Sequence, residues 1–254
     1  MNTTQIFLST KDKDDRPDMP WQLKEATDSV KELYEDTQYT FYDNEAVEDF
    51  LNEEYGDEVL NAYNRLQPLA YKCDLARYCI LLKKGGWYFD VGLTALERYD
   101  FPHELCAFRS VPRYSHVSWS CDNGLMYVKE GHVALQIAIN NVLSSVRDQY
   151  YGFTPLCPTG PSLWGRSVAE SIGTRKEPDQ MYLFGDCMEL TPHHPKTNKA
   201  FVLPNGVILA ECKPSEGGDL TEMGAADTNN YNYFWHRKLV YAWTLKIPLP
   251  ISRV

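Results

Sequence analysis

Apolar and polar positions along the chain follow two periods, one near two residues and one near 3.6. Residues 5–9 (QIFLS) form a short apolar run that predicts a first strand, followed by a polar loop over 11–18. Apolar positions at helical spacing over 21–34 predict an amphipathic helix. Residues 39–42 predict a second strand closed by Asp43, and Asn44 is placed to cap a helix running to Tyr55. The acids of that helix, Glu45, Glu48, Asp49, Glu53 and Glu54, read as a solvated face. A helix from Pro68 to Lys84 follows, with Leu69, Cys73, Ala76 and Ile80 as its buried stripe. Lys83 and Lys84 suit the negative end of the helix dipole, and Gly85-Gly86 ends the helix. Trp87, Tyr88 and Phe89 predict a short strand, with further strand from Leu93 to Leu96.

Residues 98–123 are loop-rich around an apolar run at 105–108, and Asp122-Asn123-Gly124 predicts a turn before a strand at 125–128. A helix is predicted over 131–151, with Ala134, Leu135, Ala138, Val142 and Val146 along one side. Thr159-Gly160-Pro161 opens another helix: Pro161 suits its first turn, and Thr159 or Ser162 its cap. Short β-like runs alternate with turns over 180–211, including a hairpin turn at Pro204-Asn205-Gly206. His193 and His194 read as loop residues. This strand–helix rhythm predicts an α/β domain with a mostly parallel central sheet and flanking helices.

A chain of 254 residues is long enough for one such domain with a substantial core. The net charge of −10 argues against nucleic acid as a partner, which needs a basic face, but a phosphate-bearing small ligand needs only a few placed cations. Seven cysteines without a C-x-x-C pair suggest reduced thiols in a cytoplasmic protein and no zinc site. Residues 1–10 lack the basic and apolar regions of a signal peptide. No apolar run approaches the ~20 residues that span a bilayer. The expected location is cytoplasmic, compatible with peripheral contact at the inner face of a membrane.

Candidate chemistry gathers around one strand end. Asp90 stands where the strand at 87–89 leaves the sheet, and ligands of open α/β sheets bind at the carboxyl ends of strands. Asp74 and Arg77 share a helix face, either as a surface ion pair or aimed at the same ligand as Asp90. By the same logic, Ser9 and Thr10 read as nucleotide contacts or as ordinary loop residues. The segment 228–243 (TNNYNYFWHRKLVYAW) combines aromatics, asparagines and bases, and reads as a site component or as a packed helix.

The pattern D-x-x-R-x-x-x-L-x-x-x-G-G-x-Y-x-D, here Asp74, Arg77, Leu81, Gly85, Gly86, Tyr88 and Asp90, resembles the sugar-binding region of family 32 glycosyltransferases. It is also similar to the glucosyltransferase domains of the large clostridial toxins. The resemblance implies a single GT-A type, Rossmann-like domain over residues 1–254. Residues 1–130 would bind a nucleotide sugar, and residues 131–254 would form the acceptor side with a C-terminal lid. It implies transfer with retention of configuration, UDP-sugars being the default donor before GDP-sugars, to a glycan acceptor in surface polysaccharide synthesis. Asp74 and Arg77 become donor-sugar contacts and Asp90 the first acid of the D-x-D motif, with Gly86 and Tyr88 beside the donor. Asp122 and Asn123 fall near the anomeric carbon. The second acid, which normally binds the divalent metal, is Gly92. A Mn or Mg ion would then be held by Asp90, the pyrophosphate and Asn229, Asn230 and Asn232 of the C-terminal segment, or held weakly, or absent, with basic residues in its place. His236, Arg237 and Lys238 would neutralise the pyrophosphate. The alternative is a catalytically degenerate module that binds a nucleotide sugar or a glycan.

Overall fold

The computed structural model describes residues 1–11, 19–100, 102–112, 115–174, 181–190, 199–212, 220–225 and 227–242. The loop at 12–18, the histidines at 193–194 and Trp243 lie outside these.

Among the described residues, nine strands form one sheet: β1 (Asn2–Ile6), β2 (Gln38–Tyr42), β3 (Gly86–Phe89), β4 (Leu93–Ala95), β5 (Leu105–Arg109), β6 (Cys121–Val128), β7 (Tyr182–Glu189), β8 (Lys199–Val202) and β9 (Ile208–Cys212). Their spatial order is β2-β1-β3-β6-β5-β7-β8-β9-β4. The sheet is mixed, not mostly parallel. Only β1–β2, β1–β3 and β5–β7 pair in parallel, and the other five neighbours are antiparallel. The strand–helix rhythm holds as far as β3. Beyond it, β6 enters beside β3 in the opposite sense, which local patterning cannot foresee.

The helices are α1 (Trp21–Leu33), α2 (Asn44–Tyr55), α3 (Asp57–Arg65), α4 (Leu69–Lys84), α5 (Val133–Asp148), α6 (Pro161–Ile172) and α7 (Tyr231–His236). Asp43, not Asn44, caps α2 by accepting from the Ala46 amide at 3.0 Å. Asn44 instead brackets Ser9, accepting from its amide and donating to its carbonyl, each at 2.9 Å. Helix α3 has no counterpart in the expected elements. It is separated from α2 only by Gly56 at φ +69°, and its outward positions are polar.

Helix α4 is the centre of the molecule. Its middle, from Asp74 to Leu81, is buried on every side, so the expected single stripe is wrong. Helices α2, α3 and α5 pack on it from one side and strands β1, β3 and β6 from the other. Cys73 and Leu69, expected inside, are half-buried cavity-lining residues. Gly85 ends the helix at φ +60°, and its amide donates to Leu81 O at 2.8 Å. Gly86 starts β3 at φ +98°, where a Cβ would fall 2.1 Å from Asn2 O.

Strand β1 begins earlier than expected, at polar Asn2-Thr3-Thr4, and leaves the sheet before Phe7. Residues 122–124 form no turn. Strand β6 starts at Cys121 and pairs Asp122 with Phe108 of β5. Sheet pairing overrides the turn preference of D-N-G. Pro161 opens α6 as expected, but neither Thr159 nor Ser162 caps it: Gly160 is the N-cap residue, without a side-chain bond. One core lies between the sheet and α2–α6, and a second covers the opposite face under α1.

Candidate functional site

The antiparallel pairing of β3 with β6 brings the end of one strand to the start of the other. The Asp90 amide donates to Gly124 O at 2.8 Å, and the chain turns as Leu93 N donates to Asp90 O at 3.0 Å. The same end of the sheet collects Asp122 of β6, Lys199 of β8 and Cys212 of β9. Helix α4 approaches it with Asp74 and Arg77.

Arg77 ties the site together. It lies 3.3 Å from Asp74 Oδ1 and 3.0 Å from Asp90 Oδ1, and donates to Asn123 O at 2.5 Å and Cys73 O at 3.2 Å. Its guanidinium carbon sits 4.4 Å from the centre of the Tyr88 ring. Tyr88 in turn donates to Asp90 Oδ1 at 2.7 Å. The surface-pair reading of Asp74 and Arg77 is therefore excluded: both are buried and linked to Asp90.

Asp74 is enclosed. Oδ1 accepts from Asn123 Nδ2 at 2.8 Å and Oδ2 from the Thr159 hydroxyl at 2.7 Å. Asn123 also donates to Tyr78 Oη at 2.8 Å, and Tyr78 donates to Thr159 O at 2.9 Å. Burial pushes the Asp74 carboxyl up to about 6, with Arg77, Thr159 and Asn123 pulling it down, so it is ionised at neutral pH. Burial also raises Asp90, against Arg77 and the Tyr88 hydroxyl. Asp90 keeps 45% of its side chain exposed, which offsets part of that rise.

A cavity of ≈ 260 Å³ opens at Asp90. Phe7 and Leu8 after β1, Cys73 and Arg77 of α4, Gly92, Cys212, Met223 and Tyr231 are among its walls. The segment that carries Met223 and Tyr231 folds back over β1 and α4. Asp227 accepts the Ser9 hydroxyl, and its carbonyl accepts from Thr10 N at 2.7 Å and Thr10 Oγ1 at 2.8 Å. Asn229 accepts from the first amide of α4, Leu69 N, at 2.9 Å and donates to Gln67 O at 3.1 Å. The Tyr231 ring stacks on Tyr71 at 6.0 Å.

These contacts redistribute several expected roles. Ser9 and Thr10 hold the C-terminal segment and are not among the cavity walls. Asn230 caps α7, its side-chain oxygen accepting from Asn232 N at 2.9 Å and Tyr233 N at 3.4 Å. Asn232 is half-buried beside the Tyr231 hydroxyl. His236 is exposed at the end of α7, its ring 5.0 Å from Trp235, and Lys238 lies over Tyr151 and Trp235. None of His236, Arg237 or Lys238 lines the cavity. Gly86 sits at the far end of β3 from Asp90, opposite Val128, so its role is close packing of backbones.

Sequence reasoning missed Tyr78, Thr159 as an Asp74 partner, and Lys199. Tyr78 stands four residues after Asp74, a helical neighbour that spacing alone could have found. Lys199 faces Asp122, Cys212, Cys187 and Tyr231. Burial works against its charge, but Asp122, Cys212, Cys187 and Tyr231 together outweigh that and the pKa rises. No local pattern marks it.

The family profile described as "glycosyltransferase sugar-binding region containing DXD motif" matches residues 20–111. Residues 20–111 are thus similar to a glycosyltransferase sugar-binding region. An uncharacterized glycosyltransferase of Acanthamoeba polyphaga mimivirus is 23% identical over 152 residues, 60% of this chain and 59% of that protein. The chain thus spans about three-fifths of that relative. The PaToxG glycosyltransferase structure is similar with a TM-score of 0.49 at 15% identity, over 68% of each chain. The matched stretch contains Asp74, Arg77, Tyr88 and Asp90. Asn123, Thr159 and Tyr231, which complete the site, come from beyond it.

The resemblance, if it extends to the cofactor, implies a divalent metal beside Asp90. A Cβ on Gly92 would face Met223 Sδ at 3.6 Å, an apolar contact. Among the described residues no group of three or more His, Cys, Asp or Glu could hold an ion. One oxygen cradle does exist. A Cβ on Gly124 would lie 2.8 Å from Asp90 Oδ2 and 3.2 Å from Asp122 Oδ1. That oxygen-only, partly solvated donor set fits Mg²⁺ or Mn²⁺, which are commonly held by one or two carboxylates with water and substrate phosphate.

Proposed function

We propose that this protein transfers a sugar, with retention of configuration, from a nucleotide-sugar donor to a glycan acceptor, with UDP-sugars preferred over GDP-sugars. The observation that carries the reading is the Asp74–Arg77–Asp90 network, which lies within the residues that match a glycosyltransferase sugar-binding region and whose one exposed member, Asp90, meets a cavity. The apolar walls from Phe7, Leu8 and Met223 suit a nucleoside, and Arg77 and Asp90 supply the polar groups that fix its sugar and diphosphate.

Arg77 and Tyr88 lock one oxygen of Asp90 and leave the other to the ligand. Asp74, clamped by Asn123 and Thr159, keeps the guanidinium in place and aligned with the donor sugar. Such prior alignment matters because charge develops on the departing diphosphate and on the anomeric carbon in the transition state. Asp90 would hold a Mg²⁺ or Mn²⁺ ion, which would supply positive charge to the leaving group. Acceptor binding draws support from exposed Trp119 and Phe153, the latter with His116 against its ring at 5.2 Å. They sit on the loops that lead into Asp122 and Thr159. Flat aromatic faces of this kind pack against the apolar faces of sugar rings.

The test is turnover on a panel of UDP- and GDP-sugars, with hydrolysis and transfer both followed. Asp90→Asn is expected to lower turnover at least about 100-fold, the scale of losing one charge-stabilising group, with unchanged circular dichroism. Full activity of that variant refutes the site. Donor binding without turnover in the wild type would instead establish the binding-only module.

A further inference from the structure

Position 92 carries no acid, so any second carboxylate beside Asp90 comes from another part of the chain. Arg77 and Tyr88 both engage Asp90 Oδ1, which turns Oδ2 over Gly124. From the neighbouring antiparallel strand, Asp122 brings Oδ1 over the same bare Cα, where it accepts the Gly124 amide at 2.9 Å. The two carboxylates flank one gap. Gly124 is not among the glycines with positive φ, so its backbone conformation does not call for glycine. The space above it does: a methyl group there would meet Asp90 Oδ2 at 2.8 Å.

Charge points the same way. Arg77 and Lys199 stand against Asp74, Asp90 and Asp122, leaving an excess of negative charge before a diphosphate enters. Close carboxylates repel unless a cation joins them. Hard divalent ions accept few protein oxygens when phosphate and water complete the shell.

We propose that Asp122 replaces the missing second acid of the D-x-D motif, so that a Mn²⁺ or Mg²⁺ ion bridges Asp90 and Asp122 across two strands. The inference rests on the donor reading above. It gives Gly124 a reason beyond packing and makes Asp122 a metal ligand.

The experiment is titration of Mn²⁺ followed by electron paramagnetic resonance, with and without UDP, alongside calorimetric binding of UDP to the metal-free protein. Wild type is expected to bind Mn²⁺ more tightly with UDP present. Asp122→Asn, which keeps the acceptor for the Gly124 amide, should weaken Mn²⁺ at least tenfold. Gly124→Ala should weaken it similarly by filling the gap, while the unfolding midpoint without metal moves little. Equal Mn²⁺ affinity in wild type and both variants overturns the proposal. So does UDP binding with no Mn²⁺ bound, which would assign the neutralising charge to Lys199 and Arg77 and leave the donor reading standing. Mn²⁺ binding that depends on Asp122, without binding of UDP or any nucleotide sugar, would support the metal site and remove the donor reading.

Discussion

Asp74 holds its charge at a cost that depends on pH. Its carboxyl titrates near 3.8 in an unfolded chain and at about 6 in the fold. Between those values the folded state binds more protons than the unfolded one. The stability from this group is therefore complete below about pH 4 and is lost as pH rises through 6, a span of roughly 3 kcal/mol. Asp74→Asn removes that slope. Urea unfolding at pH 4 and pH 7 should show the variant gaining on the wild type by roughly 2–3 kcal/mol over the interval. Parallel curves would show that Asp74 does not titrate in this window. The spacing of Asp74, Arg77 and Asp90 was legible in the chain because helix and strand periods fix where side chains point. Asn123 and Thr159 were not read as Asp74 partners, because the sheet pairing and the helix packing that bring them to Asp74 are long-range.

At the scale of elements, the junction of α4 with β3 sets the aim of the site. Two glycines with positive φ let the chain reverse within van der Waals contact of Asn2 at one side and Glu130 at the other. Gly86→Ala forces a Cβ against Asn2 O and should lower the unfolding free energy by about 3 kcal/mol or more, measured by denaturant titration. A loss below about 1 kcal/mol would mean that β1 yields easily and that the junction is not rigid. Helix α4 and its glycine stop could be read directly, since apolar run, terminal lysines and Gly-Gly all agree. The burial of α4 on all sides could not. A helix wrapped by α2, α3 and α5 as well as the sheet looks in sequence like one with a single apolar face.

For the whole molecule, the mixed pairing of the sheet places the ends of β1, β3, β4 and β9 around one cavity. The C-terminal segment seals it through Ser9, Thr10, Leu69 and Asp227. Asp227→Ala removes the acceptor for the Ser9 hydroxyl and should cost about 1–2 kcal/mol of stability while weakening UDP binding. Thermal shift and calorimetry on one preparation check both effects. A stability loss with unchanged UDP affinity would mean that the segment braces the fold without shaping the cavity. The α/β class followed from alternation alone. The mixed sense of strand pairing did not, because β3 with β6, β5 with β7 and β4 with β9 pair residues far apart in the chain.

That seal also sets an order of events. Ser9 and Asp227 are 218 positions apart, and Asn229 lies 162 positions from Gln67. During synthesis, Asp74, Arg77 and Asp90 emerge and can pack long before the residues that roof them exist. Loop closure over such spans is slow relative to local folding. The cavity is thus the last part of the molecule to mature, and a ribosome-bound chain carries the motif without the chamber.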